Sequence, residues 1–200
     1  SCLVGSEMCI RDRATPDNGA AIALYAACKA TLKVADGQEI TLHEQTNYPF
    51  EEKISFTVNT TEDVRFPFYL RIPSWCDQPE LAINGKQKEI DPMPGKYIYI
   101  DRTWTDGDKV ELNLPMKLSI HTWQVNKNSV SVNYGPLTLS LKINEEYIQK
   151  DSRSTAIYDS RWQEGADATQ WPSYEIFPKS PWNYALVLDS KVPLKNFKVI

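Results

Sequence analysis

Two histidines and four cysteines in 200 residues leave few of the side chains that most often hold metals or attack substrates. Zinc recruits three or four Cys, His or carboxylate ligands at close spacing, whereas His43, His121, Cys28 and Cys76 stand singly and far apart. No metal site is expected from them. No Gly-x-Ser-x-Gly elbow occurs, so a Ser-His-Asp hydrolase site has little support. Lysine and arginine form no run, and the formal charge is -4 with a pI near 5.3. Binding to a phosphate backbone needs clustered cations, so nucleic acid is not an expected partner. The longest apolar stretch, Ala20 to Cys28, falls well short of the ~20 residues that span a bilayer as a helix, and no membrane partner is expected.

What is present in quantity is alternation. Ala30, Leu32 and Val34 alternate with Lys29, Thr31 and Lys33, and Ile40 and Leu42 with Glu39, Thr41 and His43. Period two is the signature of half-buried strands. Asp36-Gly37 between those runs predicts a hairpin. Ile54, Phe56 and Val58 repeat the pattern, and Val64 to Ile72 makes the longest predicted strand. Pro67 inside it cannot donate to a ladder, which predicts an edge or a bulge. Asn84-Gly85 suits a type I′ turn, because both positions need positive φ. Further strands are predicted at 97–100, 110–114, 118–120, 130–134 and 137–141, with Asp106-Gly107-Asp108 read as a hairpin turn. About ten short strands with turns every 8–12 residues indicate an all-β fold, an antiparallel, jelly-roll-like β-sandwich.

Residues 145–200 read differently. Alternation weakens, Asp, Ser, Pro and Trp accumulate, and a long irregular excursion through Asn183 is expected before Tyr184–Leu188 returns as a strand. The expected organisation is a leader at 1–13, a sandwich at 14–144 and the irregular segment at 145–200. Leu3 to Asp12 resembles a translated sequencing adapter, so the leader is expected to be non-native. With Cys2 and Cys9 inside it, only Cys28 and Cys76 remain, and both are expected to be unreactive.

Six punctuating motifs occur in order: Tyr48-Pro49-Phe50, Leu70-Arg-Ile-Pro-Ser-Trp-Cys76, Ile83-Asn-Gly85, Trp104-Thr-Asp-Gly-Asp108, Leu114-Pro-Met116 and Tyr134-Gly-Pro-Leu137. The series resembles the β-sandwich region of β-L-arabinofuranosidase-like enzymes of glycoside hydrolase family 127, from about Asp17 to Leu188. That resemblance implies a parent glycosidase whose chemistry sits in an (α/α)6 barrel, with a zinc-bound cysteine thiolate as nucleophile and a glutamic acid as proton donor. This chain has no adjacent cysteine pair to match the family's metal ligands, and no catalytic residue carries over. The implied zinc belongs to the barrel, which is the expected partner, and no cofactor is expected in these 200 residues. An apolar patch is expected where the barrel would dock.

Other carriers of chemistry are weighed against simpler readings. Glu51-Glu52 and Glu145-Glu146 fit solvated surface better than a carboxylate pair across a scissile bond. Asp106 and Asp108 in one turn supply too few oxygens for calcium. Trp162, Trp171 and Trp182, with Asp159 and Arg161, form the candidate carbohydrate site, since sugars pack their C–H faces on flat aromatic rings. Trp75 and Trp104 are expected to fill the core. A structural or adhesive sandwich unrelated to glycosidases is the third reading.

Overall fold

Inward-facing Ile54, Phe56 and Val58 on one strand and Phe66, Phe68 and Leu70 on another are each at most 1% exposed, and they share one core. The computed structural model describes residues 12–91, 93–155, 165, 167, 169–187, 189 and 191–197. Two compact units divide at Thr138 and Leu139.

The first unit is a two-sheet sandwich. One sheet runs in the order β1 (Asp12–Ala14), β2 (Ala20–Ile22), β6 (Val64–Arg71), β9 (Tyr97–Trp104). The other runs β3 (Cys28–Val34), β4 (Gln38–Thr46), β5 (Lys53–Thr60), β10 (Asp108–Asn113), β7 (Glu80–Ile83), β8 (Lys86–Lys88). All pairs are antiparallel except β2 with β6. Side chains of alternate parity point to opposite faces, so the burial patterns eBiBiBei of β5 and BeBiBiBi of β6 show one core face each. Burying a large apolar side chain contributes roughly 1.5–3 kcal/mol, which makes this row the main source of stability. Trp104 lies among Phe66 and Phe68, with ring centroids 5.7 and 5.8 Å away, and its indole N–H donates to the Phe66 carbonyl at 3.0 Å.

A smaller sheet follows in the order β11 (Leu118–Trp123), β12 (Ser129–Tyr134), β13 (Leu137–Leu139). Here only Val132 of the strand residues is buried.

Turns behave mostly as their residues dictate. Asn84 and Gly85 both have positive φ, at 51° and 73°, and join β7 to β8 as a two-residue hairpin. Ala35 and Gly37 take positive φ between β3 and β4. The Trp104–Asp108 turn departs from expectation. Because β9 and β10 belong to different sheets, this segment is a corner that carries the chain across the sandwich, not a hairpin. Hairpin and corner use the same turn residues, and only the ladder partners tell them apart. Pro67 lies one residue before the β2 ladder begins at Phe68. Beside it is Gly19, where an added Cβ would fall 2.3 Å from the Pro67 carbonyl oxygen. The longest strand is β4, with nine residues, rather than β6 with eight.

The second unit contains a two-stranded ribbon, β14 (Glu145–Lys150) paired antiparallel with β15 (Ser173–Pro178). Hydrogen bonds from the Asn144 N–H to Ser180 Oγ and from the Lys179 N–H to the Asn144 carbonyl close its base. A single helical turn spans Ser152–Thr155. The strand expected at Tyr184–Leu188 is not seen among the described residues, since 184–187 take no strand conformation. The ordered pair instead lies inside the segment expected to be irregular.

Candidate functional site

The corner at Trp104–Asp108 and the turn at Asn84-Gly85 form one joined assembly. Asp108, 5% exposed, accepts from the Asn84 side-chain amide at 2.6 Å and from the Thr105 N–H at 3.0 Å. Arg102 pairs with it at 3.3 Å and places its guanidinium 4.9 Å from the centre of the Trp104 ring. Asn84 returns two bonds to Lys109, its side-chain oxygen accepting from the Lys109 N–H at 2.8 Å and its own N–H donating to the Lys109 carbonyl at 2.9 Å. Burial pushes the Asp108 carboxyl up. The bonds from Thr105 and Asn84 and the Arg102 charge outweigh it and hold the group below the usual 3.8. A carboxylate satisfied this fully stitches two sheets together and has little left to offer a substrate.

Asp106 is similarly engaged, accepting from Asn59 Nδ2 and the Thr60 N–H, each at 3.1 Å. Both acids of the Asp-Gly-Asp turn thus serve the backbone. Glu52 corrects the expectation of a solvated pair with Glu51. It is half-buried and accepts from the Met116 N–H at 2.6 Å, while its carbonyl takes the Leu114 N–H at 3.0 Å. Those two bonds pin the Leu-Pro-Met motif to the sandwich.

Glu44 is a buried acid on β4. It is 2% exposed and shares the inward parity of Ile40 and Leu42. It accepts from the Ala26 N–H at 3.0 Å and lies 3.9 Å from Cys28 Sγ. Tyr25, whose phenol donates to the Arg71 carbonyl at 2.5 Å, is raised well above its ordinary value by burial and then by the Glu44 charge. Parity along β4 was the available signal. Cys76 is fully buried, and burial pushes its thiol up, which lowers its reactivity. His43 is exposed on the outer face, and His121 packs on Trp123 with centroids 4.3 Å apart.

Among the described residues no three His, Cys, Asp or Glu side chains come together in a way that could hold a metal ion. The family resemblance also implies a Glu-x-Cys element among the metal ligands, and the one such spacing in the sequence, Glu7-Met8-Cys9, lies outside the described residues.

Of the predicted carbohydrate residues, Asp159, Arg161 and Trp162 lie outside the described residues. Trp171 and Trp182 are 70% and 65% exposed. Ser152 Oγ donates to the Trp171 carbonyl, which fixes that backbone and leaves the indole outward.

Sequence alone did not locate two surfaces on the sandwich. The open side between β9 and the β7–β8 hairpin forms a groove of about 610 Å³, with Ile83, Ile98 and Ile100 in its lining and Lys86, Lys88 and Asp101 at its polar positions. On the outer face of the β1-β2-β6-β9 sheet, the register aligns Tyr69 with Tyr99 and Arg71 with Tyr97. The Tyr69 and Tyr99 rings lie 5.2 Å apart, tilted by 50°. Tyr69 donates to Asp17 at 2.5 Å, which pushes its phenol up to about 12. Arg65 grips Asp101 through two bonds of 3.0 and 3.2 Å. Alternation of Tyr97 and Tyr99 with Ile98 and Ile100 was the signal for this face.

The comparisons with known proteins bear on the whole sandwich. Residues 19–116 match the family model described as the middle domain of GH127 β-L-arabinofuranosidases. Residues 19–116 are a GH127 middle domain. A GH127 β-L-arabinofuranosidase from Geobacillus stearothermophilus T6 matches in structure at TM-score 0.58 and 21% identity, covering 84% of this chain. A protein titled glycoside hydrolase matches at 0.56 and 27% over 72%, and a GH127 β-arabinofuranosidase at 0.55 and 23% over 69%. The chain spans only 31%, 23% and 27% of those three proteins, respectively. No curated protein sequence matches it. The GH127 middle domain contains five of the six punctuating motifs, and Tyr134-Gly-Pro-Leu137 lies beyond the matched residues.

Proposed function

We propose that this chain is the non-catalytic β-sandwich region of a bacterial-type, β-L-arabinofuranosidase-like glycoside hydrolase acting on plant-type glycans. On this reading it supports an (α/α)6 catalytic barrel supplied by sequence outside these 200 residues. One observation carries the proposal: the match is to a domain described as a middle domain, in a chain spanning less than a third of each similar glycosidase. The geometry agrees with a supporting role, because Asp108, Glu52 and Asp106 spend their hydrogen-bonding capacity on backbone and neighbouring side chains. The test is to obtain the coding sequence flanking residues 14–200 in the source genome. The longer polypeptide and the chain are then assayed on an aryl β-L-arabinofuranoside. Turnover by the longer polypeptide and none by the chain is expected. Turnover by the chain itself, or a flanking sequence that encodes no glycosidase, sinks the proposal.

A second reading rests on the exposure of Trp171 and Trp182. Flat indoles facing solvent can pack on sugar rings, and this segment then acts as a carbohydrate-binding element. Titration calorimetry of the folded chain with arabinose-containing oligosaccharides decides it. Heat that disappears in Trp171→Ala and Trp182→Ala supports binding there, and no heat removes it.

A further inference from the structure

The two outer faces of the sandwich differ in the chemistry they present. On the β3-β4-β5-β10 face the outward residues include Lys29, Lys33, His43, Thr57 and Lys109, and Lys53 paired with Glu111, hydrophilic groups in a pattern that suits water. On the β6-β9 face they are Tyr69, Tyr97, Tyr99, Pro67, Thr103 and the charged Arg65, Arg71 and Asp101. Tyr97 and Tyr99 are 46% and 58% exposed. Tyrosine and arginine are enriched, and lysine depleted, where proteins bury surface against other proteins. Two of the charged groups here are paired with each other, Arg65 with Asp101, and the adjacent Asp17 already binds Tyr69. Covering such a face desolvates fewer unpaired charges than covering one lined with lone lysines.

From this contrast we infer that the outer face of the β6-β9 pair, centred on Tyr69, Tyr97 and Tyr99, is an interdomain interface. Its occupant is the portion of the parent polypeptide that lies outside this chain. This rests on the proposed function, and it specifies the surface. The occupant is argued from length: similar solved glycosidases extend well beyond the matched region, which spans 23–31% of them. Sugar is the poorer fit to this face. Saccharides stack on flat aromatic platforms, whereas the Tyr69 and Tyr99 planes are tilted by 50°. The complementary surface has apolar side chains against the ring faces and carbonyl or carboxylate acceptors for the Tyr97 and Tyr99 hydroxyls and for Arg71.

Hydroxyl-radical footprinting read by mass spectrometry tests this on the chain and on the longer natural polypeptide. Oxidation of Tyr97 and Tyr99 is expected to fall several-fold in the longer polypeptide, while His43 on the opposite face is labelled equally in both. Tyr99→Glu should lower the melting temperature of the longer polypeptide and leave that of the chain unchanged. Equal labelling of the tyrosines in both proteins overturns the inference. So does protection in the chain alone that rises with its concentration, which marks self-association, or protection by arabino-oligosaccharide. A longer polypeptide without glycosidase activity would count against the proposed function. An active one with unprotected tyrosines removes only the interface.

Discussion

The sandwich and the ribbon use the same secondary structure to opposite effect. In β5 and β6 every second residue is buried, and Ile54, Val58, Phe66, Phe68 and Leu70 leave no surface to solvent. In β14 and β15 both faces are open. The register puts Tyr147, Tyr174 and Ile176 on one face and Ile148 and Phe177 on the other, all at least 40% exposed. A two-stranded ribbon is marginal alone because it has no second layer on which to bury a face. Strand formation and core formation are thus separate achievements. Among the described residues only the sandwich completes both, and it is where the family motifs concentrate.

Substitutions can break or sharpen that contrast. The largest effect is expected at Trp104, which fills the centre and ties its indole to Phe66. Trp104→Ala should cost about 3–5 kcal/mol, read by chemical denaturation. Next is Asp108→Asn, which removes the charge that faces Arg102 and the Thr105 and Asn84 donors. A loss of about 1.5–3 kcal/mol is expected near neutral pH, the range for hydrogen bonds to charged groups. The folded carboxyl titrates below its ordinary 3.8. Its contribution is therefore full above that value and is lost as pH falls through the lowered one. Denaturation curves of wild type and variant should converge in acid, and a gap independent of pH would show that the charge does not matter.

Gly19→Ala pushes a methyl group against the Pro67 backbone and should cost about 1–3 kcal/mol, as overpacking does. Trp171→Ala on the ribbon side removes an indole that is 70% exposed. Its cost should stay within about 0.5 kcal/mol. A larger loss there would show that the second unit has a packed core after all.

Much of the sandwich was legible because burial on one face writes period two directly into sequence, as Ile54-Ser55-Phe56-Thr57-Val58 shows. Turn identity was legible where φ decides it: Asn84-Gly85 needs positive φ twice and has it. Which strands pair was less so. The Trp104–Asp108 segment reads as a hairpin, yet it joins two sheets, since the partners that distinguish a corner from a hairpin, Val64 and Val58, lie far upstream. Pairing across a long gap likewise hid β14 and β15, whose mixed faces carry no alternation. Tyr184–Val187 illustrates the reverse error: an apolar run is not by itself a strand, and these four residues form none. The tyrosine face was visible in parity but meant little until the register set Tyr69 beside Tyr99.

The central claim is that the motif residues of this GH127 middle domain hold two sheets together and take no part in chemistry. The most direct test measures melting temperature and turnover together in the longer natural polypeptide carrying Asn84→Ala or Asp108→Asn. A lowered Tm with kcat and KM unchanged well below that Tm is the predicted result. A fall in kcat with Tm unmoved would contradict it.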